Sequence, residues 1–137
     1  METKTKALGV PLVSIVDDDA SVRRSTKRLL RSAGFRAEAF ASAEEFLASG
    51  RSGATDCLIL DLRMPGLNGL QLQRHLADES NPVPIIFLSA HYSANDEREA
   101  LQAGAIRFLQ KPVDKDVLLL AIGDAIKTSH DDEMESQ

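Results

Sequence analysis

The sequence has a single cysteine, Cys57, in 137 residues. That excludes an internal disulfide framework and fits a reducing compartment. It lacks any apolar run approaching the roughly 18 residues of a membrane span. The opening METKTKALG has basic residues but no apolar stretch behind them long enough for a secretion signal. Surplus positive charge is missing too: the net charge is -5, so nothing globally basic points to nucleic acid or an anionic membrane. No G-x-x-x-x-G-K phosphate loop occurs, and His75, His91 and His130 are too scattered for a zinc site. There is no internal repeat beyond the alternation described next, and no low-complexity tract. These absences predict a cytoplasmic protein of one domain, large enough to fold on a single core.

What is present is a rhythm. Five short apolar runs recur: Leu12 to Val16, Phe35 to Phe40, Cys57 to Leu60, Pro84 to Leu88 and Ile106 to Leu109. Three are apolar at nearly every position, as in strands covered on both faces. Between them lie segments of helical period. Val22, Leu29, Leu30 and Ala33 share one face of the first, with Arg23, Arg24, Lys27, Arg28 and Arg31 as its solvated side and Gly34 as its stop. Ser42-Ala43-Glu44-Glu45 reads as a capping box opening a second helix. Asn68 opens a third, with Leu72 and Leu76 one turn apart; Ser93 to Ala103 is a fourth, ended by Gly104. Asp114 can cap a fifth, with Val117, Leu118, Ala121, Ile122 and Ala125 on one stripe. A β-α unit repeated five times, joined by right-handed crossovers, makes a parallel sheet with helices on both faces.

Ligands of such sheets bind beyond the carboxyl ends of the strands. At that rim stand Asp17-Asp18-Asp19 after the first strand, Asp61 after the third, Ser89 after the fourth and Lys111 after the fifth. Crowded carboxylates repel unless positive charge sits among them. Lys111 supplies one charge, and a divalent cation supplies the rest. Hard oxygen donors select Mg²⁺ or Mn²⁺. A carboxylate can itself act as nucleophile and become an acyl phosphate, with the metal, the lysine and a hydroxyl neutralising phosphoryl oxygens. Asp19 is read as a helix cap and Cys57 as a buried small hydrophobe.

VSIVDDDASVRRS, LILDLRMPGLNGLQL, IIFLSAH and FLQKP, in this order and spacing, resemble the four signature blocks of CheY-like response-regulator receiver domains, most of all those of FixJ type. The likeness runs from about Leu12 to Lys127. It implies a doubly wound, flavodoxin-like (βα)5 fold, α/β in class, with a five-stranded parallel sheet in the order 2-1-3-4-5. It also implies a 1–10 N-terminal extension, an 11–127 receiver domain and a 128–137 acidic flexible tail. Asp61 becomes the phosphoacceptor, in a Mg²⁺-dependent phosphotransfer from a sensor histidine kinase. Asp17 and Asp18 join Asp61 as metal ligands, with the backbone carbonyl of Arg63. Lys111, before Pro112 in a step that is often cis in the family, is the catalytic cation. Ser89 is the switch hydroxyl, where threonine is commoner. Phe108 is the switch aromatic, lacking a hydroxyl and so read through packing. Arg63 and His91 flank the site. The chain acts only on itself and is not an enzyme in the usual sense. Phosphorylation would alter the face of helix 4, strand 5 and helix 5 and allow a homodimer. No recognition helix is visible, so no direct nucleic-acid or membrane contact is expected, and an output would lie in a longer parent chain or a separate partner.

Two other readings stay open at this stage. Asp17 and Asp19 could form the D-x-D of an aspartyl-nucleophile phosphatase of the haloacid-dehalogenase type, although 137 residues leave no room for a cap domain. The chain could also be a phosphate-independent interaction module.

Overall fold

The computed structural model describes residues 9–79 and 82–135. Five strands, β1 (Leu12–Val16), β2 (Arg36–Phe40), β3 (Cys57–Leu60), β4 (Ile85–Ser89) and β5 (Arg107–Gln110), alternate with five helices. These are α1 (Ala20–Ser32), α2 (Ala43–Ser49), α3 (Gly69–Ala77), α4 (Ala94–Gln102) and α5 (Lys115–Glu135). A 3₁₀ turn, Ser52–Ala54, precedes β3. All pairings are parallel, and the strand order is β2-β1-β3-β4-β5, as expected.

The three runs that are apolar at nearly every position are the three inner strands, and every residue of β1, β3 and β4 is buried. Successive side chains of a strand point to opposite faces, so the sheet separates two cores. Leu58, Leu60 and Phe87 pack with Phe46, Leu72 and Leu76 on one face. Ile15, Ile59 and Ile86 pack with Leu30, Leu118 and Ile122 on the other. Cys57 belongs to the second core and is fully buried; burial, with Asp56 beside it, pushes its thiol far above the usual range and makes it a poor nucleophile.

Four local expectations need correction, the last of them at the start of α2. Val117 and Ala33 were expected on buried stripes, but both are exposed. The inward row of α5 is Leu118, Ala121, Ile122 and Ala125, and Val117 stands one residue, about 100°, off it. Ala33 is the C-cap of α1, while Thr26, midway between Val22 and Leu30, takes the buried place. The stretch 128–135, expected as part of a flexible tail, continues α5 through Glu135. No proline follows Lys115, and an established helix gains a bond with each added residue. Residues 1–8, 80–81 and 136–137 lie outside the described set. No described helix is long and apolar enough to cross a membrane.

Helix starts hold the rim in place. Ser42 accepts from Glu45 N at 3.0 Å, but Glu45 Oε1 takes the N–H of Ala41, at 2.7 Å, and not that of Ser42. The complete capping box is at α3: Asn68 Oδ1 accepts from Gln71 N, and Gln71 Oε1 accepts from Asn68 N. Asn68→Ala is expected to cost about 1 kcal/mol, read as a lower urea midpoint at unchanged slope.

Candidate functional site

Each residue at the rim continues the hydrogen-bond ladder one step past its strand. Asp17 N donates to Phe40 O at 3.1 Å, Asp61 N to Val16 O at 2.9 Å and Lys111 N to Ser89 O at 2.8 Å. Backbone pairing, more than side-chain preference, therefore brings residues 17, 61 and 111 to one place. Asp17, Asp18 and Asp61 each offer an oxygen within 4.8 Å of the others. Asp17 and Asp61 are buried, and Asp18 is open to solvent.

Lys111 Nζ donates to Asp17 Oδ2 at 2.8 Å and lies 3.6 Å from Asp61 Oδ2. The Lys111-Pro112 peptide is cis. All of Asp17's polar groups are taken. Its Oδ1 accepts from Asp19 N, its Oδ2 from Lys111, and its carbonyl from Arg23 Nη1 at 2.6 Å. Asp19 caps α1 through Ser21 N and Val22 N, as its sequence position suggested.

One ammonium among three carboxylates leaves the cluster short of positive charge. Burial, and after it the charge of Asp17, push the Asp61 carboxyl above the usual carboxylate range, with Lys111 offsetting only part of this. Burial pulls the Lys111 ammonium down, but its bond to Asp17 and the field of Asp61 outweigh that and leave it above the usual lysine range. Three hard oxygen donors, two of them buried and under-neutralised, fit a divalent cation of the Mg²⁺ type.

Ionising Asp61 is harder in the folded chain than in the unfolded one, so its charge destabilises the fold above its folded pKa. Asp61→Asn is expected to raise Tm by a few degrees at pH 7, a common size for a single substitution. The gain should shrink as pH falls and vanish below 3.8, the ordinary value, where both states are protonated. Thermal melts of the metal-free proteins across that pH range would check it.

The remaining residues sit around this cluster. Ser89 is fully buried, and its hydroxyl is turned on its own loop: it donates to His91 O at 3.2 Å and accepts from His91 N at 3.1 Å. Phe108 is half-buried and stacks on Phe87. The Arg63 guanidinium reaches α4, 3.6 Å from Asp96. Two residues escaped the sequence reading. Arg23, assigned to a solvated face, holds the acidic loop through Asp17 O. Its only signal was lying one turn beyond the cap at Asp19. Gly69, the first residue of α3, has no room for a side chain, because a Cβ there would overlap the Asp61 carbonyl oxygen.

Residues 13–123 match the response regulator receiver domain family. The chain is 43% identical over 121 residues to Nodulation protein W of Bradyrhizobium diazoefficiens, covering 88% of this chain and 52% of that protein. It is 36% identical over 115 residues to the Transcriptional regulatory protein FixJ of the same organism, covering 84% and 56%. The chain thus spans about half the length of the curated relatives it matches. Among solved structures, the response regulator StyR superposes with a TM-score of 0.85 at 41% identity, over 93% of this chain and 65% of that one. FixJ-N superposes at 0.78 and 35% identity, over 88% and 96%. With its strand order, its acidic rim and these likenesses, the chain belongs to the response-regulator receiver domains of two-component systems and is of FixJ type.

Proposed function

We propose that this receiver is switched by phosphorylation of Asp61, with a sensor histidine kinase as donor. The observation that carries the reading is the convergence of Asp17, Asp18 and Asp61 within 4.8 Å beside the Lys111 ammonium. An oxygen of Asp61 attacks the phosphorus of the kinase's phosphohistidine. The new O–P bond forms as the P–N bond breaks, and the imidazole leaves with the electron pair. Mg²⁺, held by Asp17, Asp18, Asp61 and the carbonyl of Arg63, would neutralise phosphoryl oxygens during the transfer. Asp17, already bonded on both oxygens, contributes through a bridging water more readily than directly. Lys111 stands close enough to exchange Asp61 for a phosphoryl oxygen. Ser89 gives up His91 and donates to another. Phe108 follows Ser89, and the face of α4, β5 and α5 changes, with dimerisation as one output.

Lys27, Arg28 and Arg31 on α1 keep the role of a solvated face. The groove between α1 and α5, lined by Val22, Thr26, Leu29, Pro112, Val113 and Leu118, opens beside Lys111 and suits the docking of the kinase. Incubation with acetyl phosphate and Mg²⁺ tests the reading by intact mass. One added phosphoryl group, lost with EDTA, is expected. Wild-type protein that neither gains mass nor binds beryllofluoride would sink it in favour of a phosphate-independent module.

A further inference from the structure

The aromatic row behind Ser89 ends in a residue that the phosphotransfer does not use. Phe87 of β4 stacks on Phe108 of β5 with ring centroids 5.9 Å apart. Phe108 also meets Tyr92 edge-on, at 6.3 Å and 77°. Tyr92 lies in the loop between β4 and α4 and is 52% exposed. Its hydroxyl donates to Glu97 Oε1 at 2.8 Å, in the first turn of α4. A surface tyrosine ordinarily keeps its rotamer freedom; this one is held at both ends, by a ring and by a carboxylate.

Two separate paths lead from the site to Tyr92. One is packing, through Phe87 and Phe108. The other is the backbone. Ser89 Oγ bonds both the N–H and the carbonyl of His91, the residue before Tyr92. When the hydroxyl donates to a phosphoryl oxygen, its one proton leaves the His91 carbonyl, and the peptide joining His91 to Tyr92 is released. Phe108 has no hydroxyl with which to report its position. The ring edge-on to it does.

We propose that Tyr92 is the positioning residue that carries the state of Asp61 to α4, its ring following Phe108 and its hydroxyl holding Glu97 in the resting state and releasing it in the active one. The proposal rests on Asp61 being the acceptor. It makes Tyr92, and not Phe108 alone, the surface residue that a partner of the α4 face would sense.

The test is direct, because Tyr92 is the only tyrosine and the chain has no tryptophan. Intrinsic emission therefore reads this residue by itself. A phenol bonded to a carboxylate is quenched, so adding beryllofluoride with Mg²⁺ should raise the emission of the wild type and leave that of Asp61→Asn unchanged. Tyr92→Phe keeps the ring and removes only the hydroxyl. Its α4 amides should exchange roughly threefold to tenfold faster at rest, the worth of one ordinary hydrogen bond, and beryllofluoride should no longer speed them. Fluorine NMR reports binding independently. Bound beryllofluoride with unchanged wild-type emission, or with α4 exchange that responds equally in Tyr92→Phe, overturns the role of Tyr92 alone. Absence of any bound fluoride signal overturns the Asp61 reading and this inference with it.

Discussion

Asp61→Asn is expected to take up no phosphoryl group from acetyl phosphate and Mg²⁺, while Asp17→Asn keeps measurable uptake at a lower rate. The two carboxylates are both buried and share Lys111, so burial and charge alone do not separate them. Their hydrogen bonds do. Asp17 Oδ1 is held by Asp19 N and Oδ2 by Lys111 at 2.8 Å, and an oxygen with its lone pairs engaged is a poor nucleophile. Asp61 has the longer 3.6 Å contact with the lysine and a backbone partner in Leu62, and its raised pKa marks an anion that gains by being neutralised. Asp19, the second carboxylate of the D-x-D in the phosphatase reading, spends its carboxylate on capping α1. Losing Asp17 removes a metal-site oxygen and frees Lys111, an electrostatic loss of roughly 10²-fold to 10³-fold in rate. Losing Asp61 removes the atom that forms the bond. Intact mass against time separates the two cases. Uptake by Asp61→Asn with none by Asp17→Asn would reverse the assignment and favour the phosphatase chemistry.

Gly69→Ala is expected to be strongly damaging for a change of one methyl group. The added carbon would overlap the carbonyl oxygen of Asp61 and stand 2.9 Å from Phe87 Cε1 and 3.0 Å from Leu62 Cα. Two of these three obstacles are backbone, held by the Asp61 N–Val16 O and Gly69 N–Leu62 O bonds, so no rotamer change relieves the overlap. Overpacking of this kind costs about 3 kcal/mol, or about 10 °C in Tm for a domain of this size. The strain falls on the peptide that aims Asp61, so phosphoryl uptake should slow in the fraction that stays folded. Gly123→Ala provides the contrast. A Cβ there would meet nothing within 4 Å beyond its own helix, and it stands inside α5. There alanine should stabilise by about 0.5–1 kcal/mol through helix propensity. Urea unfolding of the two variants should therefore move in opposite directions.

Much of this protein was legible before folding. The strands could be read because β1, β3 and β4 are covered on both faces, which favours apolar residues at nearly every position. The rim residues could be read because a parallel sheet puts its ligands at strand ends. Phase errors arose where neighbours are equally apolar. Val117 and Leu118 differ little in hydropathy, and only the docking of α5 on β3 and β4 decided which faces inward. The capping box at Asn68 was missed because an Asn–Gln pair is a fainter signal than Ser–Glu. The tail was misread because acidic composition suggests disorder, whereas nothing in 128–135 stops a helix already running.

The sequence by itself determined the alternation of elements, the burial of the inner strands, and which carboxylates, hydroxyl and lysine stand at strand ends. These follow from local period and from residue order. Only the tertiary structure decided the division of labour among them: Lys111 on Asp17 more closely than on Asp61, Arg23 on the carbonyl of Asp17, Gly69 against Asp61, and Tyr92 between Phe108 and Glu97. Lys111 and Asp17 are 94 positions apart, Phe108 and Tyr92 sixteen. Such contacts depend on how strands register and helices dock, which no short stretch of chain encodes.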